Sequence, residues 1–367
     1  MKNKELVIFI PSIEGGGVEK NLFIISNFLS NKLDKVSIIT ASPEFNNRFN
    51  SKINYISLKK KIYSKCGRTV KYFISLFFLF LKILSNKNII VLSFQANLYC
   101  IVLCKILGIK IIVRSNSSPI GWLNNSLKKV LFKRIYKLAD SVIVNSKNLK
   151  SEFNNLLKLT NVICIYNPLN ITAIKKLSKI KKIKKINKNK NVLSIITVGR
   201  LVFQKNHIEL LRAANIIKNK LNFHITIIGR GDKKDELQNY IKNNGLKRFI
   251  KIINYTKNPF PYIKKSELFI LSSIYEGLPN VLLEAIVLNK FVISSNCPTG
   301  PSEILSNGKG GLLYQPNNET DLANKIIFYS KNKQFCQKKI DFAKKNLNKF
   351  NYDKNLKKYL KKIKEFL

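Results

Sequence analysis

Four segments place charge, glycine and helix starts where an anion could be handled. In YEGLPNVLLE, residues 275–284, two carboxylates, Glu276 and Glu284, stand eight positions apart around Pro279 and Asn280. Proline suits the first turn of a helix, so the chain reads as helical from Asn280. The amide groups at such a start favour an anion. Glu284 then falls about one turn in, on the face of Asn280, among Val281, Leu282, Leu283, Ala285 and Ile286. A carboxylate in that apolar company is costly unless donors reach it, and a ribose diol offers two. Glu276, in the loop at the helix mouth, would lie past the phosphates, near whatever they carry. The alternative is that Glu276 complements the helix dipole and Glu284 pairs with a lysine.

The second segment, VGRLVFQKNH (198–207), follows a strand-like run and sets Arg200 and Lys205 after a glycine. Two cations at a strand end suit a diphosphate, arginine by its fork and lysine as a point charge; ordinary surface charge is the alternative. In IIGRGDKKDEL (227–237), Gly229 and Gly231 allow a sharp exit and Asp232 can cap the next helix. A nucleobase could lie over that turn, which makes Gly229 and Arg230 binding candidates. The fourth segment, PSIEGGGVEKN (11–21), lets backbone amides approach a phosphate at Gly16 and Gly17, or is a tight turn without a ligand. It is not the dinucleotide fingerprint, because Lys20 stands where the third glycine belongs and TAS (40–42) replaces the expected acid. The P-loop pattern is absent as well.

These turns need strands and helices to hold them. The runs 6–10, 36–40, 89–93, 110–114, 141–145 and 161–166 read as buried parallel strands with helical patterns between most of them. The alternation restarts at 193–199, 224–229, 249–253, 268–272 and 291–295. This predicts an α/β protein of two Rossmann-like, doubly wound domains facing a central cleft, with ligands at the carboxyl ends of the strands. The expected division is an N-terminal domain over 1–170, a Lys-, Ile- and Asn-rich basic linker over 171–190, a C-terminal domain over 191–345 and a closing helix over 346–367.

Composition narrows the partners. Against 66 Lys and Arg stand 20 Asp and Glu, a net charge of +46, which implies attraction to a phospholipid surface, nucleic acid or phosphorylated substrates. The lysines are spread rather than interleaved with aromatics, and no nucleic-acid motif is found, so nucleic acid is not expected as a partner. Six cysteines without a CxxC pair and only two histidines argue against a zinc cluster and for a reducing compartment. The first residues read as a strand rather than a secretion signal. The apolar run 72–84 is interrupted by Lys82 and too short to span a bilayer. It predicts either a buried helix or an interfacial one, flanked by Lys65, Arg68, Lys71, Lys82 and Lys87.

GGGVEKN, VGRLVFQKN, IIGRGDKKDEL and YEGLPNVLLE, in this order and over essentially the whole chain, resemble the large GT-B family 4 of retaining glycosyltransferases, the glycosyl transferases group 1. CPTGPSEIL (297–305) resembles a segment of transferases that build bacterial surface polysaccharides and lipid-linked glycans. The resemblance implies that Arg200 and Lys205 hold the donor diphosphate and stabilise the departing nucleotide. Glu284 would bind the ribose and Glu276 the sugar hydroxyls. The backbone around Pro279, Asn280, Val281 and Leu282 would meet the phosphate, with Gly16 and Gly17 approaching from the N-terminal domain, which takes the acceptor. No cofactor or metal ion is implied. The implied activity moves a hexose or N-acetylhexosamine, N-acetylgalactosamine among the candidates, from a UDP-sugar to a lipid-linked or polysaccharide acceptor of capsule, O-antigen or glycoprotein glycan. The implied place is cytoplasmic, peripheral on the inner face of the plasma membrane, with the closing helix packed on the N-terminal domain. One departure stands out: the family histidine after the strand 110–114 is replaced by RSNSSP (114–119), leaving Arg114 or Asn116 for the acceptor side. The competing readings are a GT-B nucleotide-sugar epimerase, a basic membrane- or nucleic-acid-binding protein, and an inactive lipid-surface scaffold.

Overall fold

Unbroken burial along β-branched and aliphatic runs, with successive side chains on opposite faces, means a sheet covered on both faces. The computed structural model describes residues 4–14, 16–58, 67–119, 126–180 and 192–367. The chain forms two units, Met1–Pro168 with Tyr352–Leu367, and Leu169–Asn351. In the first, strands β1 (Glu5–Phe9), β2 (Val36–Ile39), β3 (Ile53–Ile56), β4 (Ile89–Ser93), β5 (Lys110–Ser115), β6 (Ser141–Val144) and β7 (Val162–Cys164) pair in parallel in the order β3-β2-β1-β4-β5-β6-β7. Helices α1 (Gly17–Ser30), α2 (Arg68–Ser85), α3 (Asn97–Ile106), α4 (Ser126–Lys137) and α5 (Lys147–Leu157) make the crossovers. Val7, Phe9, Val91 and Val113 face the buried residues of α2, α3, α4 and α5. Their neighbours Leu6, Ile8, Leu92 and Ile112 face α1.

The second unit repeats the plan. It starts with helix α6 (Ile171–Leu177) and continues through β8 (Leu193–Val198), α7 (His207–Ile217), β9 (Phe223–Ile228), α8 (Lys234–Asn243), β10 (Ile250–Ile253) and α9 (Phe260–Lys265). It ends with β11 (Leu268–Leu271), α10 (Asn280–Val287), β12 (Phe291–Ser295), α11 (Pro301–Ile304), β13 (Leu312–Tyr314), α12 (Glu319–Lys331) and α13 (Lys333–Lys345). The strand order is β10-β9-β8-β11-β12-β13, again all parallel. Two doubly wound, Rossmann-like α/β units are therefore present.

Several boundaries differ from the expectation. The basic linker foreseen over 171–190 begins as structure: α6 is capped by Asn170, whose side chain accepts from the Ala173 amide at 2.9 Å, and its Ile174 is buried. Residues 181–190 lie outside the described residues. The second unit runs on to Asn351, because Leu169 N–H donates to the Phe350 carbonyl at 3.0 Å and ties the unit's two ends together. Only helix α14 (Tyr352–Lys364) returns, placing Leu356, Tyr359 and Ile363 in the first unit's core on the side of α1. Strands β3 and β13 lie outside the expected strand runs; both are edge strands, short and only partly buried. The run 72–84 lies in α2, which buries Ser75, Leu79 and Ile83 and exposes Phe73 and Phe77. It is neither wholly buried nor a span, and no helix among the described residues is long and apolar enough to cross a membrane.

Arg114, at the end of β5, is fully buried. Its guanidinium donates to Tyr359 Oη at 2.8 Å, to Asn167 Oδ1 at 2.7 Å and to Asn116 Oδ1, and lies 5.1 Å from the Phe94 ring centre. Instead of presenting itself to an acceptor, Arg114 braces α14 against the sheet, and Asn116 serves as one of its partners. A hydrogen bond to a buried charged group is worth about 1.5–3 kcal/mol. Tyr359→Phe should therefore lower unfolding stability by about that amount in urea titration; an unchanged midpoint would show that the hydroxyl carries none of it.

Candidate active site

Sheet order reverses in the second unit beside β8, which has β9 on one flank and β11 on the other. Loops leaving neighbouring strands at such a switch point diverge and open a crevice at the carboxyl ends. Here those loops are 199–206, after β8, and 272–279, after β11. They are stitched together by side chains. Ser272 Oγ donates to the Lys205 carbonyl at 2.9 Å, Ile274 N to the Gln204 carbonyl at 2.9 Å, and Gln204 Nε2 to the Tyr275 carbonyl at 2.8 Å. Lys205 Nζ forms an ion pair with Glu276 Oε1, their side chains only 15% and 8% exposed. Ser273 Oγ donates to the same carboxylate oxygen at 2.6 Å. Arg200 is exposed, and its Nη2 donates to Gln204 Oε1 at 3.3 Å, so it stands over the same loop.

The turn bearing Glu276 is held from behind. Thr299 Oγ1 donates to the Glu276 carbonyl, and Ser295 Oγ to the Ser273 carbonyl at 2.5 Å. Gly300, at φ +90°, brings its α-carbon so close that an added Cβ would lie 2.7 Å from Pro279 Cδ. The CPTG stretch thus shapes the Glu276 turn. Burial, then the neighbouring Glu276 carboxylate, pushes the Cys297 thiol up to about 12, so it stays protonated and is no nucleophile.

Helix α10 follows with Pro279 as its N-cap residue. Asn280, Val281 and Leu282 form its first turn, in which the Leu282 amide donates to the Pro279 carbonyl at 3.0 Å. Leu282's side chain is core. Glu284 is buried on α10, 6% exposed.

On the far side of β8, Gly229 and Gly231 serve backbone proximity. An added Cβ on Gly229 would overlap the Gly199 carbonyl oxygen and lie 3.1 Å from its carbon; on Gly231 it would lie 2.9 Å from Leu201 N. Leu201 N donates to the Arg230 carbonyl at 2.8 Å, locking the two loops together. The Arg230 guanidinium sits 4.9 Å from the Tyr255 ring centre, a planar pair at the ends of β9 and β10. Gly16 and Gly17 belong to the first unit. Gly16 precedes α1, where a Cβ would meet only the carboxylate tip of the buried Glu19 side chain, at 2.9 Å from Oε2.

The structure therefore joins Arg200, Lys205 and Glu276 in one network and puts Glu284 on the helix that follows. Ser272, Ser273, Gln204, Thr299 and Tyr255 escaped the sequence reading. Only the polar Ser-Ser pair following the strand and the CPTG motif hinted at them. His207, beside Lys205, is buried, and burial, then the Lys205 charge, lowers it from 6.5 to about 4.

Residues 178–346 match the family model for Glycosyl transferases group 1, which supports that family for this chain. An uncharacterized glycosyltransferase of Methanocaldococcus jannaschii is 33% identical over 214 residues, 53% of this chain and 52% of the relative. This chain thus spans about half the length of that relative. The N-acetylgalactosamine-N,N'-diacetylbacillosaminyl-diphospho-undecaprenol 4-alpha-N-acetylgalactosaminyltransferase of Campylobacter jejuni is 27% identical over 339 residues, 87% of this chain and 88% of the relative. Among solved structures, Anabaena HepE in complex with UDP and glucose superposes with a TM-score of 0.79 at 15% identity, covering 99% of this chain and 100% of that one. That likeness shows the fold, GT-B. Family match and named relatives together support a transferase enzyme.

Two outcomes follow from the packing. Gly229→Ala forces carbon onto a backbone oxygen that cannot swing away; it should cost about 3 kcal/mol or more, read as a lowered urea midpoint, and a wild-type midpoint would contradict the close approach. His207 is neutral when folded and protonates more readily unfolded. Its contribution is complete above pH 6.5 and falls towards pH 4, by about 3 kcal/mol in all. Urea unfolding at pH 7 and pH 4.5 should show a smaller loss for His207→Gln than for wild type; identical losses would contradict it.

Proposed function

We propose that this chain is a retaining glycosyltransferase of GT-B family 4 that moves a hexose or N-acetylhexosamine from a UDP-sugar to a lipid-linked or polysaccharide acceptor of a bacterial-type surface glycan. The observation that carries the reading is the buried Lys205–Glu276 pair at the strand-order reversal, directly ahead of helix α10. Arg200 and Lys205 neutralise the donor diphosphate together with the first-turn amides of α10. Glu284 takes the ribose hydroxyls, and the Arg230–Tyr255 pair offers a flat platform for the base. The bond from the anomeric carbon to the diphosphate oxygen breaks, and the electron pair leaves with UDP, where the two cations stabilise it. The acceptor hydroxyl attacks from the same face and passes its proton to the departing diphosphate oxygen, so the configuration is retained. Glu276, oriented by Lys205 and Ser273, holds a sugar hydroxyl. We propose that the cations and the helix end do the work a metal ion does elsewhere.

The relatives support the chemistry of the partners. The Campylobacter enzyme's name gives an N-acetylgalactosaminyl donor group and a diphospho-undecaprenol acceptor, and HepE was captured with UDP and glucose. For an acceptor on a lipid diphosphate, the proposed place of this chain is the cytoplasm at the inner membrane face, with the first unit as the proposed acceptor-binding domain.

Screening a panel of nucleotide sugars for donor hydrolysis and thermal stabilisation should single out a UDP-sugar. Glu284→Ala should lose nucleotide affinity. Lys205→Ala should lower kcat by about 100–1000-fold, and Glu276→Ala should lose turnover while still binding UDP. Wild-type activity in all three variants would end the assignment.

A further inference from the structure

Helix α2 is apolar on its outward side as well as on the side that packs Leu79 and Ile83 into the core. Its outward stripe, Val70, Phe73, Phe77, Leu81 and Leu84, carries no charge, and Phe73 and Phe77 are 69% and 58% exposed. At a rise of about 1.5 Å per residue this stripe runs roughly 21 Å. A surface helix ordinarily turns its polar face outward. The two helices beyond it on the same face of the sheet repeat the pattern. On α3, Tyr99, Val102 and Ile106 are exposed at helical spacing, Ile106 to 76%. On α4, Leu127, Val130 and Leu131 are exposed, Leu127 to 77%. Three adjacent helices thus present one apolar surface, larger than scattered exposed residues explain.

Charge identifies what covers it. From residue 45 to residue 139 there is not one Asp or Glu, against eighteen Lys or Arg. Lys128, Lys129, Arg134 and Lys137 are exposed along α4, among its apolar residues, and Lys87 is exposed just after α2. The carboxylates at this layer's margins are taken: Asp140 pairs with Lys105 at 2.5 Å and Glu14 with Arg68 at 2.9 Å. A second copy meeting this face symmetrically would set cations against cations. A surface that is apolar within and anionic at its edge matches both features, and that is the headgroup boundary of an acidic bilayer.

We propose that the outer surface of α2, α3 and α4 is the docking face of this protein on an anionic phospholipid membrane, Phe73 and Phe77 entering the acyl boundary while the α4 cations hold the headgroups. The proposal rests on the reading of a lipid-linked acceptor, and names the face that reading needs. It differs from a single interfacial helix at 72–84, since α3 and α4 share the load.

The test is flotation of the full chain with vesicles of phosphatidylcholine alone and of phosphatidylcholine with about one-third phosphatidylglycerol, with UDP binding measured on the same preparations. Wild type should bind the anionic vesicles and only weakly the neutral ones. Phe73→Ser with Phe77→Ser, and separately Val102→Ser with Ile106→Ser, should each weaken anionic-vesicle binding about tenfold or more. Replacing Lys128, Lys129, Arg134 and Lys137 by Gln should remove the preference for anionic vesicles. Circular dichroism and the thermal midpoint should be unchanged or improved, since only exposed groups are altered. Unaltered vesicle binding in both serine variants would overturn the proposal. So would a wild-type dimer that the same serine substitutions dissociate, because a second copy would then own the face. Because Arg200, Lys205, Glu276 and Glu284 lie in the other unit, vesicle binding without UDP binding would leave this face standing and sink the donor reading; UDP binding without vesicle binding would do the reverse.

Discussion

A lysine and a glutamate separated by 71 residues in sequence, Lys205 and Glu276, hold together the two loops on which the candidate site depends. Burying such a pair adds little net stability compared with apolar packing, but breaking it strands a charge in a poorly hydrated place, at a cost of about 3–5 kcal/mol. The pair therefore acts as a geometric constraint more than a source of stability. It fixes a cation at the strand-order reversal and aims a carboxylate with one oxygen already committed to Ser273 and Lys205.

The surrounding backbone is arranged to make that constraint possible. Gly229 and Gly231 let the loop after β8 lie directly on the turn after β9, and Gly300 lets the segment after β12 press on the turn carrying Glu276. Ser272, Ser273, Ser295 and Thr299 satisfy carbonyl and carboxylate oxygens in the process. Positive charge aimed at a leaving diphosphate acts most strongly when it need not reorganise, and a loop stitched in this way has little room to do so. The first unit adds a different physical quantity: a wide, acid-free, apolar surface carried by three parallel-packed crossover helices.

Legibility followed burial. Central strands such as β1, β4, β8 and β11 are continuous β-branched or aliphatic runs because both their faces are covered, and such runs stand out in one dimension. The edge strands β3 and β13 are half-solvated and short, so Asn54 and Tyr55, or three residues after a glycine pair, carry little signal. The lysine-rich composition after residue 170 masked helix α6, whose only buried residue is Ile174. Arg114 was a candidate for the acceptor side because RSNSSP stands where the resembled family carries a histidine; its partners in the fold, Asn167 and Tyr359, come from 53 and 245 residues away.

By itself the sequence determined the two α/β units and the residue types at each strand end: the cations at 200 and 205, the acids at 276 and 284, the proline that starts α10 and the tight glycines. These are local properties, set by hydrophobic period and backbone freedom. Tertiary structure alone decided which of them meet. It paired Lys205 with Glu276, turned Arg114 inward, made Gly229 a matter of backbone clearance and left the apolar side of α2, α3 and α4 facing outward. The reason is that hydrogen bonds and ion pairs are settled by distance in space, and a sequence records distance only along the chain.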